Sequence, residues 1–211
     1  MKTTPVNCGD MTDKEDTYVV ASSILSPVLQ NAVIYQSFSP YTEVSGRMIT
    51  KMLEACGSFR PQFHSILNQF GISQVQSECW YPEQEFLNAL NQAVSETGPV
   101  LLNQMGTGLA DLLYCMPGMT IEESILLLNQ YFHRWHRGEA GDYLLMESVP
   151  AAPSILVQCW HPYPCSMDMG LLKRLVQRVS GKQQVMVYHD HRQRQNCRKS
   201  GAGACNLMVC W

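Results

Sequence analysis

The fold of this chain is decided by the stretch Asp142-Tyr-Leu-Leu-Met-Glu-Ser-Val149 together with Ser154-Ile-Leu-Val-Gln-Cys-Trp160. Each stretch is short and rich in aliphatic and aromatic residues, and prolines separate the two, a pattern that indicates strands. Two more strands of the same character are predicted at 184–189 and 206–211. A helix is predicted between the second and third strands, over 169–179, because its leucines and valines recur at helical spacing.

The chain from about residue 18 to residue 137 has a helical pattern instead. The clearest helix start is the capping box Thr120-Ile-Glu-Glu123, in which a threonine is followed three residues later by a glutamate. The helix that follows has its apolar residues on one face: Ile121, Ile125, Leu128, Phe132 and Trp135. Helices followed by strands indicate an α+β domain, with a mostly antiparallel four-stranded sheet and helices packed on one side.

Two glycines, Gly106 and Gly108, lie inside a helix predicted to follow Gly98-Pro99. A glycine in a helix interior costs about 1 kcal/mol relative to alanine. We therefore expect a close approach at these positions, either by another helix or strand or by a ligand.

Composition excludes several classes of protein. The net charge of −3 with only 15 Lys and Arg residues predicts no nucleic-acid-binding surface. The most apolar segment, 19–35, is interrupted by polar residues and proline, so no membrane span is predicted. The nine cysteines are an odd number scattered through apolar segments, and the N-terminus has no apolar signal core. These features indicate reduced thiols and a cytoplasmic protein.

The C-terminal third gathers candidate metal ligands. Cys197 and Cys205 close a short loop that contains two glycines, and Cys165 and His189 are expected at a neighbouring helix start and strand end. Four nitrogen and sulfur ligands in a tetrahedral arrangement are what zinc prefers. The alternative is that these cysteines are small buried apolar residues, because cysteine is among the most buried residue types.

The order and spacing of Pro164-Cys165-x4-Gly170-Leu171-Leu172 and Cys197-Arg198-x2-Gly201-x3-Cys205 resemble the 4-vinyl-reductase-type domain. That family binds small molecules and is related in fold to trafficking subunits of the Bet3 type. The resemblance implies a flexible tail over 1–17, a helical N-terminal extension over 18–82 and a ligand-binding domain over 83–211.

The resemblance also implies a zinc ion held by three cysteines and an acidic residue. Cys165, Cys197 and Cys205 match the three cysteines, but the acidic position falls on Arg194. His189 is therefore assigned as the fourth ligand, with Asp190 or His191 as substitutes.

The function predicted first is a cytosolic sensor or carrier that binds a hydrophobic or aromatic small molecule in an apolar pocket. Candidate pocket residues are Met105, Leu109, Trp135, Tyr143 and Trp160. For each of these residues an ordinary core position is the commoner explanation, so the pocket depends on the resemblance. We also expect a homodimer, as relatives of this fold suggest.

Two alternatives stay open. The first is a reductase or accessory protein of tetrapyrrole biosynthesis, with haem or another tetrapyrrole bound near His133, His136 or His161. A reductase would need an electron donor, and Gly106-Thr-Gly108 lacks the third glycine of a dinucleotide fingerprint. A Gly-x-Ser-x-Gly nucleophile motif is also absent, so no catalytic residue is predicted. The second alternative is a dimeric scaffold module.

Overall fold

A computed structural model describes residues 35–149, 152–190, 192, 197–198 and 202–211. These residues lie in one compact unit, Val33–Trp211. None of the helices within these ranges is both long enough and apolar enough to span a membrane. Cys79 is disulfide-bonded, which the expectation of reduced thiols did not anticipate.

Helices and strands are interspersed along the chain. The helices are α1 (Gly46–Ala55), α2 (Arg60–Gln69), α3 (Glu83–Thr97), α4 (Pro99–Ala110), α5 (Ile121–Trp135) and α6 (Cys165–Ser180). The strands are β1 (Glu43–Ser45), β2 (Trp80–Pro82), β3 (His136–Arg137), β4 (Asp142–Val149), β5 (Ser154–Trp160), β6 (Met186–His189) and β7 (Cys205–Cys210).

The larger sheet has four antiparallel strands in the order β4-β5-β7-β6. Side chains that alternate along these strands are buried on one face, as period-2 patterning requires. The inward-facing set includes Tyr143, Ile155, Val157, Leu207 and Val209. The predicted α+β class and the predicted four-stranded sheet are therefore confirmed.

A second, smaller sheet was not predicted. It has the order β2-β1-β3, and β1 pairs antiparallel with both neighbours. Its strands are two or three residues long, which is too short to produce a recognisable alternation of apolar and polar residues. This sheet brings the starts of α1 and α3 and the end of α5 together.

The capping box predicted at the start of α5 is present. Thr120 Oγ1 accepts a hydrogen bond from Glu123 N at 3.2 Å, and the Glu123 carboxylate accepts one from Thr120 N at 2.8 Å. These two bonds satisfy backbone donors that the first turn of a helix leaves unpaired. The sequence therefore located the start of this helix correctly.

The glycines predicted to permit a close approach lie at contacts between helices. A Cβ atom on Gly106 of α4 would lie 1.9 Å from the Met167 carbonyl oxygen of α6, and one on Gly170 of α6 would lie 2.0 Å from the Asn103 carbonyl oxygen of α4. A Cβ atom on Gly108 would lie 2.4 Å from that of Ala55 in α1. Close packing of helices, and not the approach of a ligand, explains these glycines.

Candidate metal centre and its buried surroundings

Four predicted metal ligands come together at one end of the larger sheet. Cys165 is the first residue of α6, His189 is the last of β6, Cys205 is the first of β7, and Cys197 lies in the chain between these two strands. Their ligand atoms all lie within 4.8 Å of one another. Because β6 and β7 are hydrogen-bonded neighbours, the sheet itself brings His189 close to Cys205.

The spacing of the sulfur atoms matches a tetrahedral zinc site. Cys197 Sγ lies 3.8 Å from Cys165 Sγ and 3.7 Å from Cys205 Sγ. A zinc–sulfur bond of about 2.3 Å in a regular tetrahedron places neighbouring sulfurs about 3.8 Å apart. The two distances from Cys197 therefore equal those that a single zinc ion would impose, and the third sulfur–sulfur distance is within 4.8 Å.

The surroundings of Cys205 favour its neutral thiol form. A hydrogen bond with Cys165 and burial both raise the pKa of Cys205. A zinc ligand must be a thiolate. The positive charge needed to stabilise thiolates here would come from the metal ion itself, so metal binding would release protons.

Of the two substitutes for the fourth ligand, Asp190 and His191, the structure describes Asp190. Asp190 is buried and its carboxylate accepts a hydrogen bond from Arg192 Nε at 2.9 Å. His189 is favoured as the ligand because its ring nitrogen lies within 4.8 Å of the three cysteine sulfurs. His191 and Arg194 lie outside the described residues.

A buried ion pair joins the metal cluster to the core. Arg198 follows Cys197, and its backbone N–H donates to Cys205 Sγ at 3.3 Å. Its guanidinium donates to Asp168 Oδ2 at 2.7 Å, and Asp168 has no solvent exposure. Tyr143 Oη also donates to Asp168, at 2.8 Å. Burial raises the pKa of Asp168, but His161, Arg198 and the Tyr143 hydrogen bond outweigh burial and lower it overall.

A second group of possible metal ligands, Cys159, His161 and Asp168, surrounds this ion pair. His161 Nδ1 accepts a hydrogen bond from the Tyr163 backbone, so its Nε2 carries the proton and faces Asp168 Oδ1 at 3.3 Å. The negative charge of Asp168 is already balanced by Arg198. We therefore assign this group a structural role.

Sequence reasoning did not identify Asp168 or Arg198. One signal was present for Asp168, because it precedes Leu171 and Leu172 at helical spacing and so belongs to the apolar face of α6. A charged residue at a buried position predicts a buried partner. No comparable signal marks Arg198, which lies in a basic segment of the sequence.

A separate buried chain of polar groups joins α3, β3 and the segment before α6. His136 Nδ1 donates to the Phe132 carbonyl at 2.8 Å, so its Nε2 accepts the hydrogen bond from Tyr163 Oη at 2.7 Å. Glu83 Oε1 lies 3.7 Å from His136 Nε2. Burial raises the pKa of Glu83 to about 7 and lowers the pKa of His136 to about 3.

These shifts predict how Glu83→Gln changes stability with pH. Glu83 loses its proton near pH 4.5 in the unfolded chain but only near pH 7 in the folded chain. The free energy of unfolding therefore falls as the pH rises through this window. The gain in unfolding free energy from Glu83→Gln should therefore grow with pH across this window, by up to about 1.4 kcal/mol per unit. The neighbouring His136 has an opposite dependence, but the wild-type-minus-variant difference removes it. Urea unfolding of both proteins from pH 4 to pH 8 measures the effect, and a difference that does not vary with pH would contradict it.

Four of the five predicted pocket residues belong to the buried core, and the fifth, Trp160, lies at the surface. Met105 and Leu109 are buried in α4, and Tyr143 is buried beside Asp168. Trp160 is 40% exposed at the end of β5, where its ring lies 5.2 Å from that of Phe38. Trp135, at the end of α5, lines a surface cleft. A ligand pocket lined by these five residues therefore stays a prediction.

The histidines near the end of α5 also lie apart from each other. His133 is on the surface and contacts Asp142 Oδ1 at 2.8 Å. His136 is buried in β3, where the chain has left the helix. The two side chains do not share a site, and only His133 lies on the last turn of the helix.

Comparison with solved structures shows which known fold this chain resembles. No protein-family model and no curated protein matches the sequence. Among solved structures, an H-NOX protein from S. oneidensis in the Fe(II) ligation state has a TM-score of 0.54 at 15% identity, covering 78% of this chain and 94% of that chain. An Fe(II) unliganded H-NOX protein from K. algicida has a TM-score of 0.52 at 12% identity, covering 79% and 95%.

These matches correct the family assignment made from the sequence. The two structures described above are H-NOX proteins, and neither is a domain of the 4-vinyl-reductase or Bet3 type. The motifs around Cys165 and Cys197 describe one helix start and one loop, and such local features do not determine the topology of the remaining chain. At 15% identity or less the likeness concerns the fold alone, and it places this chain with the α+β architecture of H-NOX domains.

Proposed function

We propose that this chain is a small-molecule-binding module, of sensor or carrier type, whose larger sheet is stabilised by a zinc ion bound to Cys165, His189, Cys197 and Cys205. The observation that carries the metal proposal is the sulfur spacing of 3.7 and 3.8 Å, with all four ligand atoms within 4.8 Å. Four protein ligands would close the coordination shell, which is typical of a structural zinc site.

The small-molecule part of the proposal is supported by the fold. Two of the matched H-NOX structures are in Fe(II) states, and a further matched structure concerns modulation of the redox potential of haem by porphyrin distortion. Transfer of that property to this chain is an analogy between folds, because one fold hosts many functions. The ligand class of this chain must therefore be argued from its own residues.

Haem is the second candidate ligand because of these neighbours, but the buried histidines described here do not fit an axial role. Both ring nitrogens of His136 are engaged, one with the Phe132 carbonyl and one with Tyr163. His161 Nδ1 accepts a hydrogen bond from the Tyr163 backbone, and its Nε2 lies 3.3 Å from Asp168 Oδ1 without meeting the geometry of a hydrogen bond. The ring of Phe132 packs 4.3 Å from His136 and 5.1 Å from His161. An iron ligand would require one of these contacts to break.

Native mass spectrometry with elemental analysis tests the proposal on protein purified without chelator. The expected result is one zinc ion per chain and a bound organic molecule, with no absorbance band near 400 nm of the kind that haem gives. The same spectrum would report the predicted homodimer as a mass twice that of the chain. Protein without metal would contradict the zinc site, and protein with no ligand from any class of compound would favour the scaffold alternative.

A further inference from the structure

A cleft of about 290 Å³ lies between the start of α1, the smaller sheet and the last turns of α5. We call it the arginine–aromatic cleft. The lining residues that define it are Arg47, Glu78, Trp80, Tyr131, Arg134 and Trp135. Its volume is close to the lower limit of about 300 Å³ for small-molecule sites, so the cleft suits a compact ligand.

The two arginines of the cleft, like Arg60 and Arg178, have no ion-pair partner among the described residues, whereas the other four arginines described there have one. Arg137, Arg174, Arg192 and Arg198 each have a carboxylate within 4 Å. In the described residues, neither Arg47 nor Arg134 has one. Arg134 instead lies over the Tyr131 ring at 5.5 Å. The cleft therefore presents two guanidinium groups without anionic partners.

Arg47 also occupies a position near the N-terminus of a helix, where a positive charge is usually unfavourable. It lies in the first turn of α1, which contains no acidic residue. The positive end of the helix dipole disfavours a cation at this position. An anion in the cleft would relieve that conflict, because it would interact favourably with both the guanidinium and the helix end.

The remaining walls of the cleft are aromatic. Trp135 is almost fully buried, and its ring meets that of Tyr131 edge to face at 5.8 Å. Arg137 covers the Trp80 ring at 4.1 Å, which holds this indole in place. Indole and phenol rings provide rigid apolar surfaces against which another ring can pack.

We propose that the arginine–aromatic cleft binds a small aromatic carboxylate, with its acid group at Arg47 and Arg134 and its ring against Trp80 and Trp135. Glu78 is the one carboxylate of the cleft and opposes this binding. The inference rests on the small-molecule-binding function proposed above and assigns it a site and a ligand class. It does not depend on the metal centre.

Matched pairs of acids and amides test the charge requirement. Benzoate and 2-naphthoate are titrated into the full chain by isothermal calorimetry, beside benzamide and 2-naphthamide, which have almost the same shape without the charge. At least one acid should bind with a Kd below roughly 1 mM and about tenfold more tightly than its amide, because hydrogen bonds to charged groups are the stronger ones. Equal binding of acid and amide, or no binding of either acid, would overturn the proposal.

Four variants locate the site. Arg47→Gln and Arg134→Gln should each weaken acid binding about tenfold, and Glu78→Gln should strengthen it. Arg174→Gln removes the same charge from an exposed pair with Asp111 and should leave binding unchanged. If Arg174→Gln weakens binding as much as Arg134→Gln, the effect is one of net charge and the site is elsewhere. Neutral aromatic compounds that bind with no effect of these variants would retain the small-molecule function and reject this cleft.

Discussion

Cys197→Ser is expected to remove the zinc ion and to lower the free energy of unfolding by at least about 3 kcal/mol, since structural zinc contributes on the order of 10 kcal/mol in the smallest zinc domains. Cys197 lies between the other two sulfurs, within 3.8 Å of each. A hydroxyl group is a poor zinc ligand, so three ligands would remain. Elemental analysis and thermal unfolding of the purified variant measure the two effects.

Cys115→Ser is the matched control for this experiment. Cys115 is a half-buried thiol that packs at the edge of the core and belongs to neither metal-binding group. Its zinc content should equal that of the wild-type chain. A chelator should lower the stability of the wild-type protein and of Cys115→Ser, and should leave Cys197→Ser unchanged. A full equivalent of zinc in Cys197→Ser would exclude this residue as a ligand.

Asp168→Asn is expected to destabilise the chain by about 3 to 5 kcal/mol, the usual cost of removing one partner of a buried ion pair. Asp168 is fully buried, and the Arg198 side chain is 9% exposed. The substitution leaves the guanidinium buried without a counter-charge. It also removes the anionic acceptor of the Tyr143 hydroxyl. Chemical denaturation provides the measurement.

An exposed ion pair in the same protein calibrates this result. Asp111→Asn breaks the pair between Asp111 and Arg174, whose side chains are 42% and 43% exposed. A loss of no more than about 1 kcal/mol is expected there. The double variant Asp168→Asn/Arg198→Met should recover much of the stability, because it removes the unpaired charge. Equal losses at Asp168 and Asp111 would mean that the buried pair adds no special stability.

The larger sheet was predictable because its strands are long enough to show a period. The first two strands were predicted at 142–149 and 154–160, and the structure has them at the same bounds. The helix between the second and third strands was predicted over 169–179 and is longer, Cys165–Ser180. Its first turn contains serine and aspartate, which hide the apolar face on which the prediction relied.

The candidate metal centre was predictable because most of its ligands lie at or beside the ends of predicted helices and strands. Cys165 and His189 were expected at a helix start and a strand end, and both are found there. The buried ion pair was not predictable, since Asp168 and Arg198 are 30 residues apart and come together only in the folded chain. The ligand pocket stays a prediction, because a lining residue and a core residue have the same apolar signature in a sequence.

The glycine contact between α4 and α6 has a mechanical consequence. At Gly106 and Gly170 the backbones of the two helices touch directly, with no side chain between them that could change rotamer to absorb a displacement. A shift of α6 at this contact therefore displaces α4 directly. Cys165 stands at the start of α6, so any movement that begins at the sulfur cluster reaches the helical side of the protein through this joint.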